Sequence, residues 1–241
     1  MQHTLYWLLA LALTACLAVE IRRTPAAYRA LKEAVARGEP LARIRFYRAT
    51  LRFELVSGSL AALACAVWPR PWTVGLESEP HLASLFGDTA VSPDFWVGFG
   101  TAALAVVLIS ALVPRRRATL PGLPDFGTLL PTTLAERGWF ALVALSAGVC
   151  EEIVFRGWLL QLLHGEVGLQ GLPLVVAGAA VFGIAHAYQG VAGVLLTGLL
   201  GAWFTGLLAS TGGLWVPIVV HVLVDLRWAF QRGPRPERAA A

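Results

Sequence analysis

The stretch AGVCEEIVFRG, residues 147 to 157, holds Glu151, Glu152 and Arg156 within one of the most apolar regions of the chain. Two later stretches, FGIAH (Phe182 to His186) and HVLVD (His221 to Asp225), add two imidazoles and a third carboxylate. A carboxylate can take a proton from water as a general base, and an imidazole can share that proton or hold the water. A second histidine with a carboxyl group can stand on the oxyanion side of a peptide carbonyl. Two histidines and a carboxylate also match a zinc site that keeps one position open for water. A metal, if present, would then be held by His186, His221 and Glu151. Both chemistries hydrolyse an acyl bond with water as the nucleophile.

At the centre of a membrane helix each of Glu151, Glu152, Arg156 and Asp225 costs about 2.5–3.5 kcal/mol. Unpaired, the four would cost on the order of 10 kcal/mol, comparable to the stability of a whole domain. They have to be paired or hydrated. Glu152 and Arg156 are four residues apart with the glutamate first, the favourable order for an ion pair on one helix face. Arg156 therefore reads as a positioning group. Glu151 is rotated about 100° from Glu152 and is free to face a cavity. Cys150 reads as a small buried hydrophobe, its thiol turned about 100° from Glu151 and no base in sight to activate it.

Such residues need helices that cross a membrane. The chain has 241 residues, 57% hydrophobic and 14% charged, where a soluble domain is about one quarter charged. The expected class is all-α, a polytopic transmembrane helix bundle of about seven spans. These lie roughly at 5–21, 53–68, 94–113, 138–163, 171–188, 190–209 and 214–230. Residues 1–137 form the N-terminal helices, with a basic segment, 22–52, expected as a helix on the membrane surface. Residues 138–230 carry the chemistry, and 231–241 are a basic tail. Residues 118–137, broken by Pro and Gly, read as a connection. Cys16, Cys65 and Cys150 all fall in apolar runs without disulfide or zinc spacing. LTAC at 13–16 resembles a lipoprotein processing site, but MQHT offers no basic n-region, so an uncleaved first span is expected. Gly198, Ala202 and Gly206, at steps of four, form a small-residue packing face.

Arginines cluster in 22–52, at Arg115 to Arg117 and in the tail, while 69–93 carries Glu77, Glu79 and Asp88 against Arg70. Arginine-rich loops face the cytoplasm, which puts the N-terminus outside and makes the span count odd. No basic domain interleaved with aromatics stands apart from the spans, so membrane lipid is an expected partner and nucleic acid is not. Glu151 lies 13 residues before a turn at His164, and His186 lies 14 after Leu172. At 1.5 Å per residue both climb about 20 Å and meet at one level across a helical hairpin; His221 and Asp225, about 11 and 17 Å into the last span, reach nearly the same level. The charge pattern puts that level in the outer half of the bilayer, beside a 164–171 loop that has no arginine.

EEIVFR, FGIAH and HVLVD, in this order on separate expected spans, resemble the EExxxR, FxxxH and HxxxN/D motifs of the CPBP intramembrane protease family. This is the CAAX-protease or Abi group that includes Rce1-like peptidases. LWVPIVVHVLVDL around the third motif is also similar, and the resemblance covers about residues 138 to 230. It implies that Glu151 activates the water with help from His186. It implies that His221 and Asp225 line the oxyanion side or bind metal, with Glu152, Arg156 and Phe182 in support. Many members have asparagine where this chain has Asp225, and an ionised aspartate cannot donate to an oxyanion. Asp225 therefore has to be protonated, orient His221 or ligate a metal. The implied activity is that of an intramembrane endopeptidase, glutamic-type or metal-dependent, with no cofactor or a divalent metal such as zinc. The implied substrate is a membrane-tethered or transmembrane protein, cut for example at a C-terminal sorting tail. The excess of arginine over lysine points to a bacterial cell membrane. The alternative is a non-catalytic immunity or scaffold protein of the same family. A proton-relaying transporter would need a polar path that the first three spans lack.

Overall fold

The computed structural model describes residues 2–68 and 127–230. The acidic loop 69–93, the expected span 94–113, Arg115 to Arg117, residues 118–126 of the connection and the tail 231–241 lie outside the described residues. The described residues form helices and turns with no strand among them: α1 (Gln2–Ala36), α2 (Ala42–Ala66), α3 (Leu134–Gly165), α4 (Gly171–Ala185), α5 (Gly190–Thr211) and α6 (Trp215–Ala229). Short 3₁₀ turns, Gly127–Leu129 and Ala187–Gln189, precede α3 and join α4 to α5. The middle of α3, Ile153–Leu159, is wound as a π-helix.

Among the described residues, four segments are long and apolar enough to cross a bilayer: α1, α2, α3, and α5 with the turn before it. The all-helical expectation holds, and the expected seven spans are met only in part. α4 and α6 have 15 residues each, about 22 Å of helix against an apolar bilayer core of about 30 Å. The expected spans 171–188 and 214–230 counted apolar residues that lie past the ends of these two helices. The basic segment 22–52 is not a separate element: α1 runs through its first part and α2 opens its last. The reversal between them uses Gly38 at φ 69°, a backbone region open to glycine at little cost.

Side-chain contacts set the order of the rods. Tyr6 meets Trp68 and Tyr28 meets Phe46, so α1 and α2 are antiparallel. Arg43 pairs with Glu136 and Tyr47 packs on Phe140, so α2 and α3 run parallel from a common end. That end is fixed by the start of α3. Thr133 caps the helix by accepting the Glu136 N–H at 3.2 Å, and the Glu136 carboxylate accepts the N–H groups of Thr132 and Thr133 at 2.6 and 3.2 Å. This capping box satisfies donors that a helix start leaves free. Gly157 faces Leu214 and Gly148 faces Val222, so α6 is antiparallel to α3. Leu160 faces Gly178 and Phe155 meets Phe182, so α4 is antiparallel to α3 as well.

Two glycines on the α3 seams allow the site to close. A β-carbon at Gly148 would stand 2.7 Å from the Val222 backbone nitrogen, and one at Gly58 would stand 2.7 Å from the Cys150 side chain. Such distances are well inside van der Waals contact. The core that results joins Tyr6, Leu13, Ala61, Val154, Phe155, Trp158 and Phe182 from α1, α2, α3 and α4. The expected small-residue face of α5 meets α4 at Gly198, beside the Ala179 carbonyl. Cys16, Cys65 and Cys150 are all free thiols, and Cys150 is buried, in line with its reading as a small hydrophobe.

Candidate active site

Glu151 and Glu152 end the α-helical part of α3, immediately before its π-helical stretch. A π-turn inserts an extra residue into the helix and recurs at functional sites. The two adjacent carboxylates diverge, as helical geometry requires. Glu152 is completely buried, with one oxygen accepting both Arg156 Nη1 at 3.1 Å and His221 Nδ1 at 2.7 Å. Arg156 Nη2 donates to the Gly201 carbonyl at 3.0 Å. Its guanidinium lies 4.4 Å from the Phe182 ring centre and 5.1 Å from that of Phe204. Phe204 in turn stacks on the His221 ring at 4.8 Å. A buried charge is tolerated only when paired and hydrogen-bonded, and Arg156 is both. It holds α3, α4 and α5 together and does not reach toward a cleft.

Glu151 faces the other way. Its Oε2 lies 3.9 Å from His186 Nε2 and 3.9 Å from His221 Nε2. His186 sits just past the last turn of α4, its Nδ1 2.9 Å from the Phe182 carbonyl. A carbonyl only accepts, so Nδ1 carries the hydrogen and Nε2 is presented to Glu151. Asp225 Oδ2 is 3.5 Å from His221 Nε2. His221 is thus held between the acids, with Glu152 on Nδ1 and both Glu151 and Asp225 toward Nε2. Side-chain exposure falls from 34% at Asp225 and 22% at Glu151 to 7% at His221 and 0% at Glu152. The order decides which groups can face a substrate: Asp225 and Glu151 can, and Glu152 can only act from behind.

Every residue singled out from the sequence falls in this one cluster. Glu151, His186 and His221 share a small volume, Phe182 links Arg156 to the His186 ring at 4.8 Å, and Glu152, Arg156 and Asp225 complete it. Two features were not visible in the sequence. One is the Glu152–His221 contact, made across 69 residues of chain. The other is Glu54 on α2, a buried carboxyl within electrostatic reach of Glu151 and Asp225. Its only signal was a glutamate inside an otherwise apolar stretch, hidden beside Arg52 at the edge of the basic segment. Among the described residues no group of three His, Cys, Asp or Glu side chains is gathered as a metal-binding set. As placed, Glu151, His186 and His221 can carry out acid–base chemistry.

Residues 133–227 match the family model described as type II CAAX prenyl endopeptidase Rce1-like. The matched segment is similar to that family. It begins at the cap of α3 and ends within α6, so it takes in Glu151, His186, His221 and Asp225 and leaves α1 and α2 outside. No curated protein and no solved structure matches the chain. The family is one of proteases, and the matched segment stands among helices that are long and apolar enough to cross a membrane.

Proposed function

We propose that the protein is an intramembrane endopeptidase that cleaves a membrane-associated protein with a water activated by Glu151 and His186. The observation that carries this reading is the approach of Glu151 Oε2 to two imidazole Nε2 atoms at 3.9 Å, with His221 braced from behind by Glu152. A water hydrogen-bonded at about 2.8 Å to the carboxylate and an imidazole spans such a gap. Glu151 takes one proton from that water, and the oxygen attacks the peptide carbonyl carbon. The carbonyl electron pair moves onto oxygen, where a proton on His221 Nε2 supports the charge. Asp225, 3.5 Å from the same nitrogen, orients the ring. This is the role we assign among the three open to it. Glu151 then returns its proton to the amide nitrogen as the C–N bond breaks, leaving a carboxylic acid and an amine.

The substrate class we propose is a membrane-tethered protein cut near a C-terminal tail, in a bacterial cell membrane. For the entry side we favour the arginine-bearing end over the 164–171 side expected from charge counting. Asp225, the most exposed acid of the site, lies beyond His221 in the direction α6 takes toward the common start of α2 and α3. That end carries Arg43, Arg45, Arg48 and Arg52, which the positive-inside rule places in the cytoplasm. In a cysteine-free background, a membrane-impermeant thiol reagent added outside should label Val167→Cys and spare Gly38→Cys; the reverse pattern would refute cytoplasmic entry. The activity itself is tested by comparing membrane proteomes of cells carrying the wild type and Glu151→Ala. An uncut membrane protein should accumulate with the variant. Identical proteomes, with the variant folded and present at wild-type level, would remove the peptidase reading.

A further inference from the structure

α5 carries no acid, no base and no histidine between Gly190 and Thr211, yet one of its faces backs the candidate site. Gly201, Phe204 and Thr205 stand three and four residues apart on that face. The Gly201 carbonyl accepts Arg156 Nη2 and the Thr205 hydroxyl, each at 3.0 Å. Phe204 is 1% exposed, and its ring stacks on the His221 imidazole, 4.8 Å centre to centre with the planes 22° apart. The Arg156 guanidinium lies 5.1 Å from the centre of the same ring. Arg156 and His221 also converge on one oxygen of Glu152. Phe204 is thus packed against both donors to that oxygen. The ring is itself held: it stacks on Trp203 at 5.5 Å and joins Leu207, Val216 and Val220 in one buried cluster.

His221 needs such a brace. The torsion that turns a histidine ring about its Cβ–Cγ bond is broad, so the side chain does not set its own plane. The hydrogen bond from Nδ1 to Glu152 tolerates about 30° of bending. Nε2 stands on the far side of the ring, where Glu151 Oε2 is 3.9 Å away and Asp225 Oδ2 is 3.5 Å away. A tilt that Nδ1 tolerates therefore turns Nε2 away from both acids. A flat partner at stacking distance resists that tilt, because two close-packed rings lose contact when one of them turns. Phe182, 6.2 Å away and nearly perpendicular to the imidazole, offers it no parallel face. Phe204 does.

We propose that Phe204 is a positioning residue of this site: its ring fixes the plane of the His221 imidazole, so that Nε2 stays aimed at Glu151 and Asp225. The effect on turnover rests on the peptidase reading, and the effect on the ring does not. The test compares wild type, Phe204→Leu and Phe204→Tyr in lipid nanodiscs. Leucine keeps the position apolar without a flat face, and tyrosine keeps the face. With isotope-labelled histidine, solid-state NMR reads the C–H dipolar order parameter of the His221 ring, whose signals are assigned by their loss in His221→Gln. The ring should be near the rigid limit in wild type and Phe204→Tyr, and clearly more mobile in Phe204→Leu. A ring already mobile in wild type, or equally rigid in Phe204→Leu, overturns the proposal. Cleavage is then followed, at equal amounts of folded protein, with an internally quenched farnesylated peptide ending in a Cys-aliphatic-aliphatic-X sequence. Phe204→Leu should lower kcat about tenfold or more, since misplacing a group by about 1 Å costs on the order of 10²-fold. KM should be unchanged, because Phe204 is too buried to touch substrate. Phe204→Tyr, with the stack preserved, should stay within about threefold of wild type. Equal losses of kcat in both variants, no loss in either, or a rise in KM alone overturn the positioning role. If Phe204→Leu does not accumulate, Phe204→Met, flexible and apolar, takes its place in both measurements. Glu151→Ala runs in the same assay. If it cleaves like the wild type, or if the wild type leaves the peptide intact, the order parameter alone decides Phe204. In the first of these cases the peptidase reading falls by itself.

Discussion

Two of the arginine–glutamate groups among the described residues share the same chemistry and stand in opposite surroundings. At the turn between α1 and α2, Arg37 and Arg45 both reach Glu39, at 2.7 and 2.8 Å, with side chains 37–60% exposed. Around Glu152, Arg156 and His221 make contacts of 3.1 and 2.7 Å with side chains 0–7% exposed. The distances are alike, and the consequences are not. Water already solvates the first group, so forming the pair gains little and salt screens it. The second group has no water to fall back on, so losing one partner strands a charge in an apolar setting. The exposed pairs decorate a turn, whereas the buried ones fix the orientation of a histidine at the candidate active site.

The sharpest break in this comparison is expected at the carboxylate that neither group uses. Glu151→Gln should lower cleavage about 10²–10⁴-fold, the usual worth of a general base. Its melting temperature should hardly change, because Glu151 Oε2 makes no hydrogen bond and its two imidazole neighbours stand 3.9 Å away. A cleavage assay and a melt on the same sample check both halves. Next comes the buried pair. Glu152→Leu should destabilise the protein by about 3–5 kcal/mol by leaving Arg156 unpaired. Adding Arg156→Leu should recover much of that stability but not the activity, since His221 still lacks its Nδ1 partner. A double variant as active as wild type would show that Glu152 does not position His221.

A smaller loss is expected at the seam that lets the pair form. Gly148→Ala drives a methyl group into the Val222 backbone, which should cost about 1–3 kcal/mol by overpacking. Because the same seam carries Glu152 to His221, cleavage should fall along with the melting temperature. The smallest effect belongs to the exposed group, where Arg37→Ala should leave melting temperature and cleavage unchanged at neutral pH. The Glu39 carboxyl is held below its ordinary value, chiefly by the hydrogen bond from Arg37. Whatever stability this gives is present above the ordinary carboxylate range and is lost as pH falls through the lowered value. Arg37→Ala and wild type should therefore converge in acid, and a gap that widens on acidification would reverse the sign.

Much of the site was legible because helical periodicity is strict. Four-residue steps put Glu152 under Arg156, Phe182 under His186 and His221 under Asp225 before any tertiary contact was known. The level shared by Glu151 and His186 followed from nearly equal counts on two arms of a hairpin, and the structure brings these residues within 3.9 Å. The helix ends were less legible. An apolar run does not say where a helix stops, so 171–188 read as a span although α4 ends at Ala185. The bounds of the basic segment were no more legible, since α1 runs through its first part and α2 opens within its last.

The sequence by itself determined the helical class, the pairing within each rod and the inventory of acids and imidazoles, because these depend on residue type and on steps of a few residues. Only the tertiary structure decided which acid meets which nitrogen of His221, and that Glu54 on α2 stands beside the site. Such contacts depend on the rotation and register of one helix against another. Those are set by close approaches such as Gly58 on Cys150 and Gly148 on Val222, where partners far apart in the chain have to fit.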